Sequence, residues 1–187
     1  ELKEHAEKNG LIFMSTPGDE ECVDFLEELG VGAYKIGSDD LTNLNLIKHV
    51  SKKGKPVIIS TGMSTLDEID DAVNAVYSTG NKSLVLMHCS SEYPTSPESV
   101  NLRFMQTLRE RFNVPVGFSD HTLGINVPLA ASALGACMIE KHFTLDKNMK
   151  GPDHSFSADI EELKSIVDGC NEIHKALGSP LRVLSKK

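Results

Sequence analysis

His121, in the segment FSDHTLG, and His142, in EKHFTLD, each stand where a short apolar run gives way to polar residues. On neighbouring strands of one sheet, the two imidazoles would project toward a single mouth. A lone strand-end histidine is often just a hydrogen-bonded core residue, and it is the pair that points to chemistry. Two imidazoles leave most of a coordination shell to water and substrate, which suits a catalytic divalent metal or acid–base work better than a closed structural zinc site. Lys35 raises a second question, because it lies inside the apolar run AYKIG. A lysine on a buried strand is costly unless an anion or a carboxylate compensates it. Ser15, Thr16, Ser38, Ser60 and Ser119 end other runs. Singly each reads as a turn or cap residue, whereas together their hydroxyls could converge on one anion.

Glu140 and Lys141 precede His142 directly. Successive strand residues face opposite sides, so parity gives Glu140, and not Lys141, to the face of His142. There Glu140 either supports the histidine as a carboxylate partner or pairs with a strand lysine such as Lys35, and spacing leaves both open. His88, next to Cys89, is open between cleft and core, while His5, His49 and His174 fall on helical segments and read as surface residues. Asp153 and His154 lie in the loop LDKNMKGPDHSFSAD. A polar loop over a barrel mouth commonly contacts substrate.

These residues require elements to hold them. Six near-continuous apolar runs recur, LIFMS at 11–15, AYKIG at 33–37, PVIIS at 56–60, LVLMHC at 84–89, PVGFSD at 115–120 and CMIEKHF at 137–143. Runs without polar alternation fit a parallel sheet covered on both faces. Helix-period segments lie between them, at 20–29 with Gly30 as C-cap, 66–77 with Thr65 as N-cap, 101–112 and 126–134. A long final helix is expected over 159–177, stopped by Gly178 and Pro180. Strict βα alternation leaves an open doubly wound sheet or a (β/α)8 barrel. An open sheet gathers ligand groups at one switch point, whereas here nearly every run ends in a polar, chemically useful residue. That distribution favours the barrel.

The chain has 187 residues, 40% hydrophobic and 25% charged, which suits an ordinary globular domain. Its 19 Lys+Arg against 27 Asp+Glu give a net charge of -8, which argues against a nucleic-acid surface or anionic lipid as partner. No apolar run approaches the roughly 20 residues of a membrane span, and the opening ELKEHAEKNG is no signal peptide, so a cytoplasmic location is expected. Cys22, Cys89, Cys137 and Cys170 are scattered without a CxxC, and read as reduced, mostly buried apolar residues.

KIGS at 35–38, ISTGM at 59–63, HCSSEYP at 88–94, GFSDHTLG at 117–124, EKHFTLD at 140–146 and KGPDHSFS at 150–157, taken in order, resemble the sialic acid synthase family. The resemblance implies condensation of phosphoenolpyruvate with N-acetylmannosamine or a related 2-acetamido sugar, giving a nonulosonic acid and phosphate with C–O cleavage. It implies that Thr16, Lys35, Ser38, Ser60 and Ser119 hold phosphoenolpyruvate, with a further polar contact from Ser90 or Ser91. Ser91 stands where bacterial members often have Asn. His121 and His142 match the family's ligands for Mn2+ or Mg2+. Tyr93 and Asp153 match positions near the sugar, and Asp40 falls where a catalytic Glu is frequent, a shorter carboxylate.

A (β/α)8 barrel usually needs about 250 residues. The resemblance therefore implies an incomplete barrel over 1–178 with about six βα units. It sets two strands before Glu1, and a linker at 179–187 leading to an antifreeze-like domain that completes the partner's site in a domain-swapped homodimer. Two other readings stay open, another metal-dependent barrel aldolase or synthase, and a folded piece of the synthase that does not turn over alone.

Overall fold

The computed structural model describes residues 1–179 and 181. Helices α1 (Leu2–Lys8) and α2 (Glu20–Leu29) precede strand β1 (Tyr34–Ile36), which is followed by α3 (Leu44–Ser51), β2 (Val57–Ser60), α4 (Leu66–Ser78) and β3 (Leu84–Cys89). Then come the short α5 (Pro97–Val100), α6 (Phe104–Phe112), β4 (Val116–Asp120), α7 (Asn126–Ala133), β5 (Ile139–Lys141) and α8 (Ile160–Leu177). The five strands form one parallel sheet in sequence order.

Side-chain alternation divides the sheet into two faces. Tyr34, Ile36, Val57, Ile59, Leu84, Leu86, Val116 and Phe118 point into the helix layer and build the main core with Val23 and Leu26 of α2, Ile47 and Val50 of α3, Ile69 and Val76 of α4, and Leu108 of α6. The intervening residues make the other face, where Cys89, Ser119 and Glu140 stand side by side in register. Lys35 and Glu140 belong to the outermost strands, which four strand spacings would hold about 19 Å apart in a flat sheet. Their side chains meet, with Lys35 Nζ 3.2 Å from Glu140 Oε2. The sheet is therefore curled into a half-barrel, and the polar face is its concave side.

Helix ends follow local chemistry. Thr65 and Glu68 form a capping box on α4, and Asp159 and Glu162 form another on α8. The helix expected over 101–112 begins only at Phe104, because Asn101 adopts a left-handed conformation (φ 50°) that caps the separate short α5 before it. Pro180, expected to stop the last helix, lies outside the described residues, as does most of the proposed 179–187 linker.

Two expectations are corrected. The run at 11–15 is not a strand, so the sheet has five strands among the described residues rather than six. Apolar composition makes a strand only where a neighbour offers ladder bonds. Here the Leu11 amide donates instead to the carbonyl of Ala6 at the end of α1 (2.9 Å), and Leu11, Ile12 and Met14 remain exposed. The cysteines are also not mostly buried. Cys89 is buried, Cys170 half-buried, and Cys22 and Cys137 exposed, all four as free thiols. No described helix is long and apolar enough to cross a membrane.

Candidate active site

The C-terminal ends of the strands open into a cleft of about 380 Å3 on the concave side. It brings together nine of the residues singled out from sequence, Lys35, Ser38, Ser60, Ser91, Tyr93, Ser119, His121, Glu140 and His142. One end of the cleft is a set of donors. Lys35 Nζ reaches both oxygens of Glu140, at 3.3 and 3.2 Å, and Ser119 Oγ donates to Glu140 Oε1 at 2.6 Å. Of the two roles open to Glu140, pairing with Lys35 is the one observed. Beside them the Gly62 amide donates to Ser38 Oγ (3.0 Å), and Ser38 Oγ lies 3.1 Å from Cys89 Sγ.

Two features of this end point to a ligand. Ser60 is 3% exposed and lines the cleft, yet its hydroxyl has no hydrogen-bond partner among the described residues, which is costly for a buried donor unless a ligand or water satisfies it. Gly62 is the second. A Cβ there would come within 2.5 Å of Ser91 Oγ, 2.8 Å of Cys89 Sγ and 2.9 Å of Ser38 Oγ. Only glycine lets the backbone approach the hydroxyls so closely.

The other end is aromatic. The rings of His121 and His142 are 5.3 Å apart, Tyr93 stacks on His121 at 4.2 Å, and Phe156 closes behind His142 at 5.2 Å. His121 Nδ1 lies 2.7 Å from the carbonyl of Ser90. A carbonyl only accepts, so Nδ1 carries the proton and Nε2 keeps its lone pair. Burial, helped by repulsion from His142, holds the His121 pKa below its usual range and keeps the ring neutral at pH 7. Across the cleft, His142 Nδ1 sits 3.7 Å from Asp153 Oδ2. Burial and the neighbouring acidic groups push the Tyr93 hydroxyl pKa upward, so it remains a proton donor.

This pair fits a divalent cation. The free Nε2 of His121, oriented through Nδ1 by a backbone carbonyl, is the usual state of a metal-binding imidazole. Among the described residues no group of three or more His, Cys, Asp or Glu is placed to hold a metal. A cation at the pair would therefore take its remaining ligands from water, substrate or groups beyond those residues.

The remaining candidates from the sequence lie elsewhere. Ser90 acts through its backbone, and its hydroxyl turns away to the carbonyl of Ser99 (3.1 Å). Asp153 sits at the rim beside His142. Asp40 is turned toward Asn43 (3.4 Å), and Asp39 lines the cleft in its place. Thr16 is exposed on the irregular 11–17 segment and does not line the cleft. His88 faces the helix layer, where its Nε2–H donates to the Val100 carbonyl at 2.7 Å between Phe104 and Phe118. Asp39, Met63 and Cys89 line the cleft although the sequence does not single them out for it, nor does it single out Phe156, which packs behind the aromatic end. Cys89 shares strand parity with Met87, the one signal that could have placed it there. Phe156 gives no such signal, because the loop that carries it returns to the sheet, with Ala158 N–H donating to the His142 carbonyl at 2.8 Å.

A family model described as NeuB family matches residues 1–182. An uncharacterized protein of Methanocaldococcus jannaschii is 55% identical over 179 residues, 96% of this chain and 53% of its own length. The N,N'-diacetyllegionaminic acid synthase of Campylobacter jejuni is 49% identical over 100% of this chain and 56% of its own. Among solved structures, the N-acetylneuraminic acid (sialic acid) synthetase of Leptospira borgpetersenii in complex with citrate aligns with a TM-score of 0.93 and 37% identity, over 98% of this chain and 64% of its own. The chain thus spans about half the length of these curated relatives.

Proposed function

The chain belongs to the NeuB family, and from that premise we propose that its cleft binds phosphoenolpyruvate beside a 2-acetamido sugar and joins them to give a nonulosonic acid and phosphate. The observation that carries this reading is the buried, unpartnered hydroxyl of Ser60 among the donors Lys35, Ser38 and Ser119, next to the imidazole pair. A chain of net charge -8 gains a local anion site only where such donors converge.

In this reading Lys35, Ser60, Ser38 and Ser119 hold the phosphate and carboxylate, and an arriving anion competes with Glu140 for Lys35 and Ser119. Tyr93 and Phe156 shield the other end from water, and Asp153 at the rim meets the sugar. Holding the reactants in line turns a bimolecular encounter into a positioned one, which is where much of the rate gain arises. The new bond joins C3 of phosphoenolpyruvate to the aldehyde carbon of the open-chain sugar. Water then adds at C2, and collapse of that centre breaks the bond from C2 to the bridging oxygen and releases phosphate. Mn2+ or Mg2+, held by His121 and His142, would supply Lewis acidity at the aldehyde oxygen. The similarity to a diacetyllegionaminic acid synthase supports a diacetamido sugar as the first acceptor to test, with N-acetylmannosamine and its 6-phosphate beside it. Phosphate release from phosphoenolpyruvate by the intact protein, compared across those three sugars, tests the proposal. Release that needs none of them contradicts it.

A further inference from the structure

Behind the two histidines, on the opposite face of the same strands, Asp120 and Lys141 stand directly across from each other in the β4–β5 register. Their side chains are 0% and 3% exposed, with Lys141 Nζ 2.7 Å from Asp120 Oδ2. The other carboxylate oxygen, Oδ1, accepts from the Thr122 amide (3.0 Å) and the Thr122 hydroxyl (2.8 Å), and Lys141 also donates to the Thr122 carbonyl. Both charges are thus engaged with each other and with Thr122, away from the cleft.

This pair lies on the last rung that joins the two strands. His121 and His142 are the next residue of each chain segment. Past the rung, among the described residues, their backbones are held by loop bonds, from the Thr95 amide to the His121 carbonyl (2.9 Å) and from the Ala158 amide to the His142 carbonyl. A buried ion pair is a poor way to gain stability, since apolar residues of similar volume often do as well or better. What it supplies is direction and register. We infer that Asp120 and Lys141 are positioning residues that fix the spacing and aim of His121 and His142, so that the imidazoles meet a divalent cation already arranged. The inference rests on the proposal that these histidines hold the cation.

The test uses the intact protein and Mn2+ alone, with free Mn2+ followed by electron paramagnetic resonance. The neutral double variant Asp120→Asn/Lys141→Met removes both charges together, and thermal unfolding reports its fold. The expected result is a cooperatively folded double variant whose metal-free phosphoenolpyruvate affinity stays within about twofold, while Mn2+ affinity falls about 10- to 100-fold, as when the partners of metal ligands are lost. Should that variant fail to fold, Lys141→Arg keeps the charge but alters the reach, and is expected to lower Mn2+ affinity in a folded protein. Unchanged Mn2+ affinity in a folded variant overturns the inference, as does an equal loss of phosphoenolpyruvate and Mn2+ binding. Wild-type protein that binds no Mn2+ overturns the metal reading itself, and this inference with it.

Discussion

Lys35 and Glu140 meet across the concavity of the half-barrel, with Nζ 3.2 Å from Oε2, although they lie 105 residues apart on the first and last strands. The contact keeps a buried lysine compensated at the floor of the cleft, and Glu140, with its side chain 45% exposed, is the partner that can yield to a ligand. On the proposed reading, an anion entering the cleft would replace Glu140 as the anionic partner of Lys35, at modest electrostatic cost.

Lys35→Ala should leave the fold intact and weaken phosphoenolpyruvate binding by about 10- to 100-fold, the loss of one hydrogen bond to a charged group. Calorimetric titration of the intact protein checks this. Unchanged affinity would refute the anion contact.

His121→Ala and His142→Ala should each abolish metal-dependent phosphate release while sparing phosphoenolpyruvate binding, because the imidazoles lie at the opposite end of the cleft from Lys35. Full activity in either variant removes that residue from its assigned role.

Gly62→Ala would press a methyl group against Ser38, Cys89 and Ser91 at once. All three neighbours are short side chains that can rotate away, but only by leaving the donor geometry. Stability should fall by about 1–3 kcal/mol, the usual cost of overpacking, and phosphoenolpyruvate affinity should fall with it. A variant that denatures like wild type in urea and binds phosphoenolpyruvate equally well would show that the cradle has slack.

Much of this site is legible in the sequence, because strand parity alone gives Lys35, Ser60, Ser119, Glu140 and His142 to one face. Parity cannot choose a partner for Glu140, since that depends on how far the sheet curls. The turn after β1 is harder to read. Whether Asp39 or Asp40 faces the cleft is settled by one short helical turn, Ser38–Asp40, that no periodicity announces. The 11–15 run misleads because its composition is that of a buried strand, while pairing is a property of its neighbours. His88 is ambiguous since it follows Met87 and precedes Cys89, both of the concave face, and only the helix layer above it offers the Val100 carbonyl.

The Tyr34 hydroxyl donates to Glu27 Oε2 at 2.5 Å from a fully buried ring. Burial first, then the Glu27 carboxylate, raise its pKa far above the usual value. The unfolded chain ionises near pH 10 while the folded chain does not follow, so the stability this residue contributes below pH 10 is lost as pH rises beyond it. Urea denaturation from pH 8 to 11 should show wild-type stability falling more steeply than that of Tyr34→Phe. The variant should be weaker by about 1 kcal/mol at pH 8. Parallel profiles would contradict the argument.

The most direct test of the cleft's assigned chemistry follows one oxygen atom. The intact protein is given phosphoenolpyruvate labelled with 18O at the bridging position, Mn2+ and the diacetamido sugar, and the released phosphate is analysed by mass. Sugar-dependent release with the label carried into phosphate is the result predicted. Label retained in the organic product, or no phosphate released with any of the three sugars, would contradict it.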